Sequence, residues 1–214
     1  MRSNCGGAVC VPVSKNASNK GENQMAKFFG NLHLVLVVGL VAAIAVMLGY
    51  GNSVPVTVNA AFRWLHVFFG ILWIGLLYYL NFVQVPTMPK IPDELKPGVS
   101  KHIAPNVLFF FRYGALLTLV TGLIIAFHNG YAIDALTFAG EGGVDLIGIG
   151  MWLALIMAFN VWFIIWPAQQ KILGLVEATP EAKAAAGPRA LFASRTNVLL
   201  SLPMLYAMVN ANLG

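Results

Sequence analysis

His66 in "RWLHVFFGILWIG" and His128 at the end of "LLTLVTGLIIAFH" are ionisable rings inside runs otherwise built to dissolve in lipid. An ionisable side chain at the centre of a span costs about 2.5 to 3.5 kcal/mol on insertion scales, so each one is a candidate for function. Two neutral imidazoles at similar depth on neighbouring helices can supply both axial ligands of a b-type haem, with Gly70 and Gly122 leaving room for the macrocycle. The alternative is structural: each ring hydrogen-bonds a carbonyl or caps a helix end, a role that suits His128 beside Asn129-Gly130. A second layer lies toward the other end of the spans and holds Asn81, Gln84, Arg112, Asn160, Arg195 and Asn197. These residues combine fixed positive charge with amide donors and acceptors, the chemistry that binds a planar, anionic, nitrogen-rich ligand or a quinone headgroup. Against this, an arginine near a span end snorkels to lipid phosphate, and an intramembrane asparagine fastens one helix to the next. Trp73 and Trp162 are candidates for the wall of the cavity such a ligand would need. No catalytic residue declares itself: the sequence has no C-x-x-C-H, G-x-S-x-G, H-E-x-x-H or phosphate loop.

The elements that must hold these residues are membrane helices. Of 214 residues, 58% are hydrophobic and 10% charged, where a soluble domain carries about a quarter charged residues. A helix needs about 20 apolar residues to cross a hydrocarbon core roughly 30 Å thick. Such runs lie near 31–50, 61–84, 107–128, 148–166 and 194–212. They predict an all-α integral membrane bundle of five transmembrane helices, one domain over 28–214. At helical spacing His66, Gly70, Trp73, Leu77, Asn81 and Gln84 share one stripe of span two, and Gly114, Thr118, Thr121, Ile125 and His128 one of span three. Gly150, Ala154 and Ala158 form a small-residue ladder on span four; Asn197, Ser201, Met204 and Met208 align on span five. Each stripe is expected to face protein. Pro86, Pro89 and Pro92 are expected to stop the helix of span two, "ATPEAKAAAGPRA" to be a short surface helix broken at Gly187-Pro188, and Pro203 to kink span five.

The net charge of +5 sits in short loops beside the spans. Lys90, Lys96 and Lys101 fall between spans two and three, and Lys171, Lys183, Arg189 and Arg195 between four and five; the alternate loops hold Asp134, Glu141 and Asp145. The positive-inside rule then puts the N-terminus in the cytoplasm and the C-terminus in the periplasm. With no basic, water-facing surface interleaved with aromatics, no nucleic-acid partner is expected. Residues 1–27 are expected to be a polar, disordered tail with no secretory leader; both Met1 and Met25 are candidate starts, and Cys5 and Cys10 match neither a redox pair nor a zinc site.

Four segments, "RWLHVFFGILWIGLLYYLNFVQ", "LFFFRYGALLTLVTGLI", "MWLALIMAFNVWFIIWPAQQKILG" and "SRTNVLLSLPMLYAMV", occur in this order over spans two to five. Together they resemble the urate oxidase N-terminal domain family, the membrane domain of bacterial urate hydroxylase. "NVWFIIWP" and "RTN...SLPML" carry the specific likeness; "LH...G..WIG" alone also resembles copper-resistance membrane proteins and the bacterial membrane protoporphyrinogen oxidase. The resemblance implies a redox protein of the bacterial inner membrane. Longer members are similar to an enzyme that hydroxylates urate and passes electrons to a fused cytochrome c domain; this chain resembles the short form, so a separate c-type cytochrome is the expected partner. His66, Trp73, Asn160, Trp162, Arg195 and Asn197 match motif positions of the family, and His128 is not placed among them. The competing reading is a non-catalytic accessory or assembly subunit, a transporter, or a haem b membrane protein with another substrate.

Overall fold

A computed structural model of the chain describes residues 24–49 and 58–211, and every regular element there is helical. The expected tail, with Cys5 and Cys10, lies outside the described residues as far as residue 23; residues 24–29 are helical. The chain divides into two units. In the first, α1 (Leu32–Gly49) is apolar on all sides, the pattern of a helix that crosses a membrane or lies in a core.

The second unit is built on α2 (Val58–Lys90), α3 (Lys96–His128), the short α4 (Ala132–Thr137), α5 (Gly143–Ile172) and α6 (Pro180–Asn210). Four helices among the described residues, α1, α2, α3 and α5, are long and apolar enough to cross a membrane. The expected fifth span, 194–212, is the second half of α6, whose Arg195, Thr196, Asn197 and Ser201 dilute its apolarity. The first half was expected to be a separate helix broken at Gly187-Pro188. Instead a single 31-residue helix runs through both Pro188 and Pro203. It starts where Thr179 accepts the Ala182 N–H at 3.2 Å with Pro180 in its first turn, the chemistry that favours a helix start.

α2 likewise passes the proline expected to stop it. Its backbone is α-helical over Val58–Tyr78, π-helical over Tyr79–Gln84 and helical again through Pro86 to Lys90. Two further π stretches, Val99–Ile103 in α3 and Asn160–Ile165 in α5, are each followed two residues later by a proline, Pro105 and Pro167. A proline lacks the N–H of a regular turn, and its ring strikes the carbonyl four residues back. That carbonyl belongs to Phe82, Lys101 or Phe163, inside the π stretch in every case. A widened turn gives it room without ending the helix.

The core is where the stripes meet. Trp73, Leu77, Phe111, Met157 and Val161, from α2, α3 and α5, are fully buried, with Met204 of α6 against them. Small residues set the closest approaches. A Cβ on Gly114 would lie 3.4 Å from the Trp73 backbone nitrogen, and one on Gly150 3.1 Å from Ala207 Cβ. One on Gly148 would fall onto the Ala135 carbonyl, which seats α4 against α5. Of the expected stripes, Trp73, Leu77, Asn81, Gly114, Thr118, Thr121, Ile125, Gly150, Ala154, Ala158, Asn197, Ser201 and Met204 are buried. His66, Gly70, Gln84 and Met208 are half-buried, and His128 is exposed.

Candidate functional site

Buried carboxamides tie the helices together where α5 widens. Asn197 Nδ2 donates to the Met157 carbonyl at 2.9 Å, and Asn197 Oδ1 accepts from Asn160 Nδ2 at 2.9 Å. A carbonyl can only accept, so Met157 fixes which end of the Asn197 amide is nitrogen, and that in turn fixes Asn160. Asn160 Oδ1 is the acceptor left over. Asn160 opens the π stretch of α5 and lines a cavity of about 390 Å³ against α6, whose other walls are Ile164, Arg189, Phe192, Ala193 and Thr196. On the other side of α6, Asn81 Nδ2 donates to Ser194 Oγ at 2.8 Å and to the Leu77 carbonyl. Tyr78 and Ser201 join their hydroxyls at 3.0 Å.

The expected inner layer therefore converges only in part. Asn160 and Asn197 meet, and Asn81 approaches the same stretch of α6 through Ser194. Arg195 and Arg189 are both exposed, and of the two it is Arg189 that lines the cavity. Arg112 points elsewhere: its guanidinium stacks 3.2 Å from the centre of the Trp166 ring, flanked by Trp162 and Tyr113 at 5.8 and 5.9 Å. Gln84 Oε1, Asn81 Oδ1, Arg112 Nε, and the indole nitrogens of Trp73 and Trp162 are covered without a hydrogen-bond partner. Trp73 is a core residue packed on Gly114 and not among the residues lining this cavity; Trp162 lines a different, apolar groove between α3 and α5.

Arg189 and Thr196 went unnoticed in the sequence because Gly187-Pro188 looked like a break. Read as one helix, Arg189, Ala193, Thr196 and Asn197 fall at spacings of four, three and one and share a face.

The outer histidines separate. His66 Nδ1 donates to the Thr118 carbonyl at 2.9 Å, with Thr121 Oγ1 at 3.3 Å, which leaves Nε2 as the unprotonated nitrogen. Its ring lies on Gly122, where a Cβ would come 2.8 Å from Cε1. His128 is exposed six residues further along α3, about 9 Å at 1.5 Å per residue. α2 and α3 are in contact at His66, and His128 is exposed further along α3, so the two rings do not converge. Among the described residues no group of three or more His, Cys, Asp or Glu could hold a metal ion.

A family model described as urate oxidase N-terminal matches residues 112–214, from Arg112 of α3 through α6. No curated protein and no solved structure matches the chain.

Proposed function

We propose, from the match of residues 112–214 to the urate oxidase N-terminal family model, that this membrane protein is a urate-hydroxylase-related oxidoreductase of the bacterial inner membrane, with the Asn160 cavity as its substrate site. Five spans, with the second half of α6 as the last, and a cytoplasmic N-terminus complete the reading. The observation that carries it is that Arg189 of α6 and Asn160 of α5, whose Oδ1 makes no hydrogen bond among the described residues, both line a cavity of about 390 Å³, a volume within the range of small-molecule sites. Urate is a planar anion with N–H groups at its edge. A guanidinium meets its charge, a carboxamide oxygen accepts an N–H, and the Thr196 hydroxyl can do either. In the proposed reaction water supplies the hydroxyl oxygen, protons are released, and the electron pair leaves in single steps to a separate c-type cytochrome.

Membranes carrying the protein should reduce added cytochrome c in the presence of urate. Arg189→Gln should raise KM about tenfold or more, the effect of removing a charge-assisted hydrogen bond. A rate no greater than that of empty membranes, with protein shown to be present, overturns the reading.

A second reading draws on the same amides. Asn197 spends both ends of its side chain on other helical residues, which is what a fastening residue does in an accessory subunit. A dithionite difference spectrum of purified protein tests the haem expectation: a Soret change lost in His66→Ala supports it, and a colourless protein removes it.

A further inference from the structure

Apart from the Asn160 cavity, the unit carries a second hollow of different chemistry. It is a groove of about 670 Å³ between α3 and α5, lined only by apolar and aromatic side chains, among them Leu116, Trp152, Ile156, Phe159, Trp162 and Phe163. These six side chains are exposed or half-buried, so the groove opens sideways from the bundle. Along α5 it runs from Phe163 to Trp152, eleven positions and about 16.5 Å at 1.5 Å per residue. That is just over half of a hydrocarbon core about 30 Å thick, the depth of one leaflet.

Arg112 stands at one end of it. Its Cζ lies 5.8 Å from the Trp162 ring that lines the groove and 3.2 Å from the Trp166 ring, one turn further out beside Pro167. The aromatic faces hold the guanidinium but cannot accept its in-plane N–H groups. Among the described residues Arg112 makes no hydrogen bond to any acceptor, and the ion pair found there, Lys96 with Asp93, lies elsewhere. A cation of this kind, level with Trp166 in the last turns of α5 and backed by two tryptophans, lacks an anion.

We propose that the α3–α5 groove is a binding site for one anionic phospholipid, with its phosphate on the Arg112 guanidinium and one acyl chain laid along the groove to the middle of the bilayer. The length of the groove fits a chain of one leaflet, and the unmatched charge at its outer end fits a headgroup phosphate. The net negative charge of phosphatidylglycerol sets it above phosphatidylcholine.

Two native tryptophans, Trp152 and Trp162, line the groove and report on it. The full chain, reconstituted in phosphatidylcholine vesicles, is titrated with brominated phosphatidylglycerol or brominated phosphatidylcholine while tryptophan fluorescence is followed. Half-quenching should come at a mole fraction about fivefold lower for the anionic lipid, the factor one such charge contact contributes. Arg112→Gln should abolish the difference and Arg112→Lys should keep most of it. Leu116→Phe, which fills the groove, should weaken quenching by both lipids. Excess inorganic phosphate should leave the preference in place, because the chain anchors the headgroup. Equal quenching by the two lipids in the native protein overturns the proposal, as does a preference that survives Arg112→Gln or yields to inorganic phosphate. An isoprenoid quinone in place of phospholipid in the organic extract of purified protein also overturns it. Should Arg112→Gln fail to fold, the native comparison and Leu116→Phe decide the matter.

Discussion

At the scale of single residues, His66 shows how an ionisable ring is made tolerable in a membrane helix. Its Nδ1 is committed to a main-chain oxygen, and its ring lies on a residue with no side chain. Gly122→Ala would push a methyl group to 2.8 Å from Cε1. The ring must then leave the Thr118 carbonyl or the helices must part. Loss of one part-buried hydrogen bond and some packing should cost about 1 to 2 kcal/mol, measured by unfolding in mixed detergent, with Gly122→Val worse than Gly122→Ala. The sequence revealed that His66, Trp73 and Asn81 share one inward stripe and that Asn197 lies on another, because periodicity is a property of one helix. It did not reveal Ser194 as the partner of Asn81, Thr118 as that of His66 or Trp166 as that of Arg112, since partners depend on how two helices dock.

At the scale of elements, prolines are what misled the eye. Pro86 and Pro188 read as stops, yet α2 and α6 continue through them. In α2, α3 and α5 a widened turn precedes the proline and absorbs it; Pro188 and Pro203 of α6 sit in regular helix. No composition rule distinguishes the two outcomes, because the choice rests with neighbouring helices that hold the chain in line. The start of α6, in contrast, was written locally in "ATPEAK". Thr179→Ala should remove the bond to the Ala182 N–H and cost about 1 kcal/mol. Thr179→Ser should restore most of it, with thermal unfolding as the measurement. Because Arg189 lies in the first half of this helix, fraying from the Thr179 end should also lower its occupancy of the cavity wall.

At the scale of the whole molecule, composition announced a membrane protein and the apolar runs located α1 to within one residue at each end, whereas α3 and α6 begin at Lys96 and Pro180, well before the runs that start at 107 and 194. The fifth span was harder. α6 turns Asn197, Ser201 and Met204 inward while Leu199, Leu202 and Val209 face out, so its apolar surface is real but is averaged away by the buried polar residues. Orientation is open to direct measurement. α5 separates Glu141 from Glu177, both exposed. With Cys5 and Cys10 replaced by serine, Glu141→Cys should react with a membrane-impermeant maleimide on intact cells, and Glu177→Cys only after lysis. The reverse labelling would invert the topology expected from the lysines and arginines.

The link from Met157 through Asn197 to Asn160 runs in one direction only. Carboxamide and carboxylate have the same outline, so a rule based on size would treat Asn197→Asp as gentle and Asn197→Ala as severe. The alanine should cost about 1 to 2 kcal/mol, as a truncated interhelical contact does, and an ionised aspartate about 3 kcal/mol or more, since it sets oxygen against oxygen and buries an unpaired charge. At this point of the bundle polarity counts for more than shape. A main-chain atom of α5 reads it on α6, and Asn160 presents the result to whatever enters the cavity.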